Sequence, residues 1–211
     1  MMFENRKDAG QALAQELIDY QTDKKAIILG LPRGGVVVAE QVAHFLRIPL
    51  DVILLRKLPY PPQPELAIGA VAEQGAVWIN EEFRDAVRDD PDWLQEIIRQ
   101  QQSIIRQRAA LYRSHRHARN LQGKTVILVD DGIATGATMK VAVMAARSAG
   151  AIKVIVAVPV AAPSSVRELQ AQADAVLCLN APEDFYAVGQ AYQCFDQVTD
   201  DEVISILDRN S

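Results

Sequence analysis

The chain has 211 residues, 49% hydrophobic and 23% charged, with a formal net charge of −5 at pH 7. That length accommodates a sizeable core in a single domain, 1–211, and the acidic balance argues against a general binder of nucleic acid. Small phosphorylated ligands stay open, because a few local donors suffice to hold them.

Residues 1–8 contain no apolar stretch long enough for a secretory leader, and no apolar run approaches the ~20 residues of a membrane helix. Cys178 and Cys194 are the only cysteines and show no metal-ligand spacing. A cytoplasmic chain without a disulfide and without a membrane partner is therefore expected.

In chain order, residues 9–20 read as a helix. The continuously apolar run 26–29 reads as a strand covered on both faces. It enters Gly30-Leu31-Pro32-Arg33-Gly34-Gly35 and then a helix over 35–46, with Val38, Val42 and Phe45 on one face. Two glycines let the backbone approach an anion, and Arg33 adds a planar fork of donors. The plainer reading is a glycine-rich turn with a solvated arginine. The motif is neither a dinucleotide fingerprint nor a P-loop, lacking Gly-x-Gly-x-x-Gly and Gly-Lys-Ser/Thr.

A second strand, 50–55, ends on Arg56 and Lys57. The stretch 57–66 reads KLPYPPQPEL, and its four prolines predict no regular element. Strand-like stretches at 67–72 and 76–79 flank a turn at Glu73-Gln74-Gly75. Residues 91–114 form a long amphipathic helical pattern. Leu94, Ile97, Ile98, Ile104, Ile105, Leu111 and Tyr112 share its apolar face, to be packed across the sheet or against a second subunit in a homodimer. The basic cluster Arg113-Ser114-His115-Arg116-His117-Ala118-Arg119 reads as a solvated helix end or the lining of an anionic site.

The strand 126–129 leads straight into Asp130-Asp131. Adjacent carboxylates at the end of an apolar strand are costly unless a sugar diol, a metal or both satisfy them. Gly132-Ile133-Ala134 follows, then Thr135-Gly136-Ala137-Thr138 opening a helix over 138–149 with Val141, Met144 and Ala145 on one face. That turn offers backbone amides, two hydroxyls and the positive end of a helix dipole, which together make a phosphate site. Acid pair followed by amide loop fits a sugar phosphate. Strands at 153–158 and 175–179 complete an alternation that predicts an α/β domain. Its mainly parallel central sheet would have about five strands, with helices on both faces and ligands beyond the carboxyl ends.

Four apolar residues, two acids, a short small-residue run and Thr-Gly-x-Thr resemble the signature with which type I phosphoribosyltransferases bind 5-phosphoribosyl-1-pyrophosphate (PRPP). The likeness covers a core of about 26–179 and, more loosely, a hood over 180–211 with an N-terminal contribution. It is closest to an uncharacterised branch of predicted phosphoribosyltransferases. The resemblance implies that Asp130 and Asp131 bind the ribose hydroxyls. It implies that Ala134, Thr135, Gly136, Ala137 and Thr138 hold the 5′-phosphate, and that Pro32, Arg33, Gly34 and Gly35 hold the pyrophosphate across a cis peptide into Arg33. It further implies pyrophosphate contacts from Arg56 or Lys57 beside a mobile loop, a network including Glu65, and Mg²⁺ as cofactor. Phe185 or Tyr186 would stack on the acceptor.

Three departures argue against a 6-oxopurine acceptor. Ala134 replaces an acid, the stretch 158–162 lacks a lysine, and Gln193 replaces another acid. The expected activity is transfer of the phosphoribosyl group from Mg-PRPP to a nitrogenous acceptor, with Arg33, Asp130 and Asp131 as its principal residues. The alternative is a regulator that senses PRPP or a nucleotide without turnover.

Overall fold

The computed structural model describes residues 1–60, 63–89, 91–113 and 117–210, excepting the side chains of Pro64, Glu65, Ala86 and Asp89. The network expected of Glu65, and Ser114, His115 and Arg116 of the basic cluster, lie outside the described set.

Helix α1 (Arg6–Glu16) precedes β1 (Ala26–Gly30), α2 (Gly34–Leu46) and β2 (Leu50–Val52). Strands β3 (Leu55–Tyr60), β4 (Gln63–Ala72) and β5 (Val77–Ile79) follow, then α3 (Arg84–Asp89) and α4 (Pro91–Tyr112). The chain continues through β6 (Thr125–Val129), α5 (Ala137–Ser148), β7 (Lys153–Val160), α6 (Pro163–Gln170), β8 (Ala175–Asn180) and α7 (Asp200–Arg209).

The central sheet has five strands in the order β2-β1-β6-β7-β8, all parallel. Alternate residues of β1 point to opposite faces, as the strand period requires. Ile28 joins the core beneath α1, α2, α4 and α7, while Ile27 and Leu29 join the core beneath α5. The chain moves outward from β1 to β2 on one side and from β6 through β8 on the other. The crevice where ligands gather in such sheets therefore lies between β1 and β6.

The prolines misled the reading of 57–66. Leu55–Tyr60 and Gln63–Ala72 pair antiparallel and, with Val77–Ile79, make a second sheet in the order β3-β4-β5. The long strand expected over 50–55 accordingly divides after Val52. The turn at Glu73-Gln74-Gly75 is present, with Gly75 at φ +88°. The exposed faces were also partly misjudged. Phe45 is 46% exposed and Leu111 is 46% exposed, so neither belongs to the face assigned to it.

The apolar face of α4 packs within the chain. Leu94, Ile97, Ile105 and Tyr112 are buried in the same core as Leu58, Ile68 and Val203, so the helix covers the chain's own second sheet and α7. Its last turn continues into Arg113, which is neither solvated nor free for an anion. Arg113 is 8% exposed. Its Nε donates to Asp51 Oδ1 at 3.1 Å, its Nη1 to Glu73 Oε1 at 2.7 Å and its Nη2 to the Val52 carbonyl at 2.8 Å.

The two ends of the chain meet in a small hood. Phe3 N donates to Ala191 O, Gln193 N to Phe3 O and Cys194 N to Glu4 O, all at 2.8–2.9 Å. Phe3, Ala191 and Tyr192 share a third apolar cluster with Val160 at the end of β7.

Candidate active site at the carboxyl edge of the sheet

Because β1 and β6 are neighbours with Gly30 opposite Val129, the loops that follow them lie side by side. Leu31 N donates to Val129 O at 2.9 Å and extends the pairing into the first loop. The peptide between Pro32 and Arg33 is cis, as expected.

Gly34 and Gly35 are required by the acid pair. A Cβ on Gly34 would land within the radius of Asp131 Oδ2 and 2.8 Å from Arg6 Nε. A Cβ on Gly35 would lie 2.8 Å from both the Asp130 Cα and its Oδ1. The two sequence motifs are thus one surface, with the carboxylates laid against bare backbone. Helix α2 begins there with Arg33 as its cap residue, and no side chain caps its first-turn amides. Those amides and the helix dipole are directed at the same edge.

The second loop is built in the same way. Ile133 pairs with Ala161 through Ile133 N to Val160 O and Ala162 N to Ile133 O. Ser165 Oγ donates to Ala134 O at 2.6 Å and fixes the loop from the side of α6. Gly136 adopts φ +72°, a left-handed conformation that favours glycine, and α5 starts after it with no side-chain cap. Asp130, Ala134, Thr135, Gly136, Ala137 and Thr138 line one cavity of about 170 Å³, and Lys57 faces them from β3. Pro32, Arg56 and Thr138 line a smaller adjoining cavity with Arg108. Arg56 Nε donates to Gln101 Oε1 at 3.0 Å. Burial, and then the nearby Arg108 charge, lower the Arg56 pKa from its ordinary value.

The acid pair is electrostatically uneven. Burial and the adjacent Asp131 carboxylate push the Asp130 carboxyl well above its usual range. Asp131 makes an ion pair with Arg6, Nε to Oδ2 at 2.7 Å, and its carbonyl accepts from the Tyr192 hydroxyl at 2.5 Å. Burial, then the Asp131 charge, raise the Tyr192 phenol and keep it a donor. Arg6 and Tyr192 were not found by sequence reasoning. Arg6 stands 125 residues before its partner, and no local spacing marks such a pair.

Phe185 and Tyr186 are not brought to this cavity. Phe185 packs half-buried within the hood cluster, and Tyr186 is 80% exposed. Besides Tyr192, the hood residue Val188 reaches the loop, its Cγ1 2.5 Å from where a Cβ on Gly132 would sit.

Residues 3–194 match the family model described as the phosphoribosyl transferase domain. The chain belongs to the phosphoribosyl transferase family. It is 45% identical over 208 residues to a protein of Mycobacterium tuberculosis, strains CDC 1551 and H37Rv, provisionally named a phosphoribosyl transferase. That match covers 99% of this chain and 47% of the other protein, so the chain spans about half the length of these relatives. Its fold is similar to the crystal structure of TT1426 from Thermus thermophilus, with 43% identity, 98% of each chain covered and a TM-score of 0.85. A more distant likeness in fold alone is AQ2163 from Aquifex aeolicus, 13% identical with a TM-score of 0.54, covering 87% of this phosphoribosyl transferase chain and 78% of that one. Among the described residues no helix is long and apolar enough to cross a membrane.

Proposed function

We propose that the chain binds Mg-PRPP at the β1–β6 crevice and transfers its phosphoribosyl group to a nitrogenous acceptor, releasing pyrophosphate. The contact of Gly34 and Gly35 with Asp130 and Asp131 carries this reading. It joins an anion-accepting helix start, a diol-accepting acid pair and a second anion-accepting loop in one continuous surface, in the order in which PRPP presents pyrophosphate, ribose and 5′-phosphate.

The first-turn amides of α2 and the Arg33 guanidinium receive the pyrophosphate. Asp130 and Asp131 hold the ribose hydroxyls, and the amides of Ala134–Thr138 with the Thr135 and Thr138 hydroxyls take the 5′-phosphate. On β3, Arg56 adds positive charge beside Pro32 on the leaving-group side, and Lys57 adds it opposite the 5′-phosphate loop. Holding the ribose at both ends leaves C1 as the free centre, and breaking its bond to pyrophosphate develops cationic character that fixed carboxylates stabilise.

Mg²⁺ fits as an ion carried mainly on the pyrophosphate oxygens and water, its usual mode in phosphate sites. Among the described residues no group of three His, Cys, Asp or Glu is placed to hold it alone. Bound there, it would supply neutralisation of the leaving group. Ala134 cannot move a proton, so no side chain is assigned as general base.

Calorimetric titration with PRPP and Mg²⁺ tests the reading. Binding should be lost in the Asp130→Asn, Asp131→Asn double variant while its circular dichroism is unchanged. Undiminished affinity would sink the assignment. Pyrophosphate release with a panel of nucleobases then separates transfer from the alternative of sensing without turnover.

A further inference from the structure

Arg6 is held more firmly than an ion pair to Asp131 requires. Its Nη1 donates to the Asp196 carbonyl at 2.7 Å, and its guanidinium lies 3.8 Å above the Phe195 ring. Phe195 stacks in turn on Tyr192 with ring centroids 5.0 Å apart. The Arg6 and Asp131 side chains are only 11% and 15% exposed. A surface pair gains little because water competes for both charges, but this one is largely withdrawn from water. The arginine comes from the first turn of α1 and its stacking partner from the segment after Tyr192, and the guanidinium they set meets one carboxylate at the crevice.

We propose that Arg6 is a positioning residue for the acid pair, a clamp from the N-terminal arm that fixes the Asp131 carboxylate in the orientation that receives the ribose diol. The role rests on the PRPP reading above. A freely rotating carboxylate presents its acceptors in many directions. The Arg6 Nε–Oδ2 bond leaves the remaining lone pairs of Asp131 directed in a fixed geometry. Gly34 is then bare because the clamped carboxylate occupies the space a side chain would take.

The test compares two ligands by calorimetry in Arg6→Gln: PRPP, which engages the acid pair, and inorganic pyrophosphate, which engages only the α2 start. PRPP affinity should fall at least ~10-fold and pyrophosphate affinity should stay within about twofold, since only one ligand uses the clamped carboxylate. In a cycle with Asp131→Asn, the double variant should lose little more PRPP affinity than Asp131→Asn alone. Equal loss for both ligands would mean that Arg6 merely supports the hood. Unchanged PRPP affinity would mean that the clamp does nothing for the diol. Either result overturns the proposal. Wild-type protein that binds pyrophosphate but not PRPP would instead overturn the functional reading, and the role of Arg6 with it.

Discussion

Asp130 shows how a single residue can serve a site at the expense of the fold. Its pKa is raised above the ordinary 3.8 by burial and by the Asp131 charge, so its ionised form opposes folding. A carboxyl with a raised folded pKa contributes favourably below its unfolded pKa, and the contribution disappears as pH rises through the folded value. Asp130→Asn mimics the protonated form. It should melt a few degrees above wild type at pH 8, and the two melting curves should converge as pH falls toward 4. A constant difference across that range would refute the linkage. Gly34→Ala is the complementary case. The added methyl must displace Asp131 or Arg6, so PRPP affinity should drop at least ~10-fold, with a stability cost of about 1–3 kcal/mol from overpacking. Titration and urea melts check the two halves separately. At this scale the acid pair, the glycines and the Thr-Gly-Ala-Thr turn were legible because each acts through its immediate neighbours. Arg6, Tyr192 and Val188 were not, because their partners are fixed only by the meeting of distant segments.

The elements were legible where the pattern repeats and opaque where proline intervened. Strands β1, β6 and β7 are almost continuously apolar since both faces are covered, and they lie, with the half-buried edge strand β8, where that pattern put them. Residues 57–60 lie in a strand despite Pro59 because β3 is an edge strand, which needs hydrogen bonds on one side only, and Pro64 lies in the part of β4 that does not pair with β5. The register shifts at Leu58/Pro59 and Pro59/Tyr60 mark where the missing N–H interrupts the ladder. Arg113 ties this second sheet to the first. Burial, the largest influence, lowers its pKa, but Asp51 and Glu73 outweigh it and the net shift is upward. Arg113→Met would leave two carboxylates without their guanidinium, one on β2 and one in the β4–β5 turn. The expected loss is about 3–5 kcal/mol, as for other broken buried pairs, measured by urea denaturation. A loss below about 1 kcal/mol would show that the two sheets hold together by apolar packing alone.

At the scale of the whole molecule, the site is closed by the two ends of the chain. The main sheet carries the two loops proposed to hold the anions and has its own two cores. The hood is a separate, smaller cluster in which Phe3, 3% exposed, packs on Tyr192 at 5.8 Å between ring centroids. Small clusters under terminal segments open locally at lower free energy than the main core. Phe3→Ala should therefore release the hood without unfolding the sheet. Hydrogen exchange should speed up at the amides of Gln193 and Cys194, which bond to the N-terminal arm, while the β6 amides stay protected. Because Arg6 begins on that arm and Tyr192 belongs to the same cluster, PRPP affinity should fall in step with the loss of hood protection. If the β6 amides lose protection equally, the hood and the sheet form one cooperative unit, and the acid pair cannot be uncovered without melting the strand that bears it.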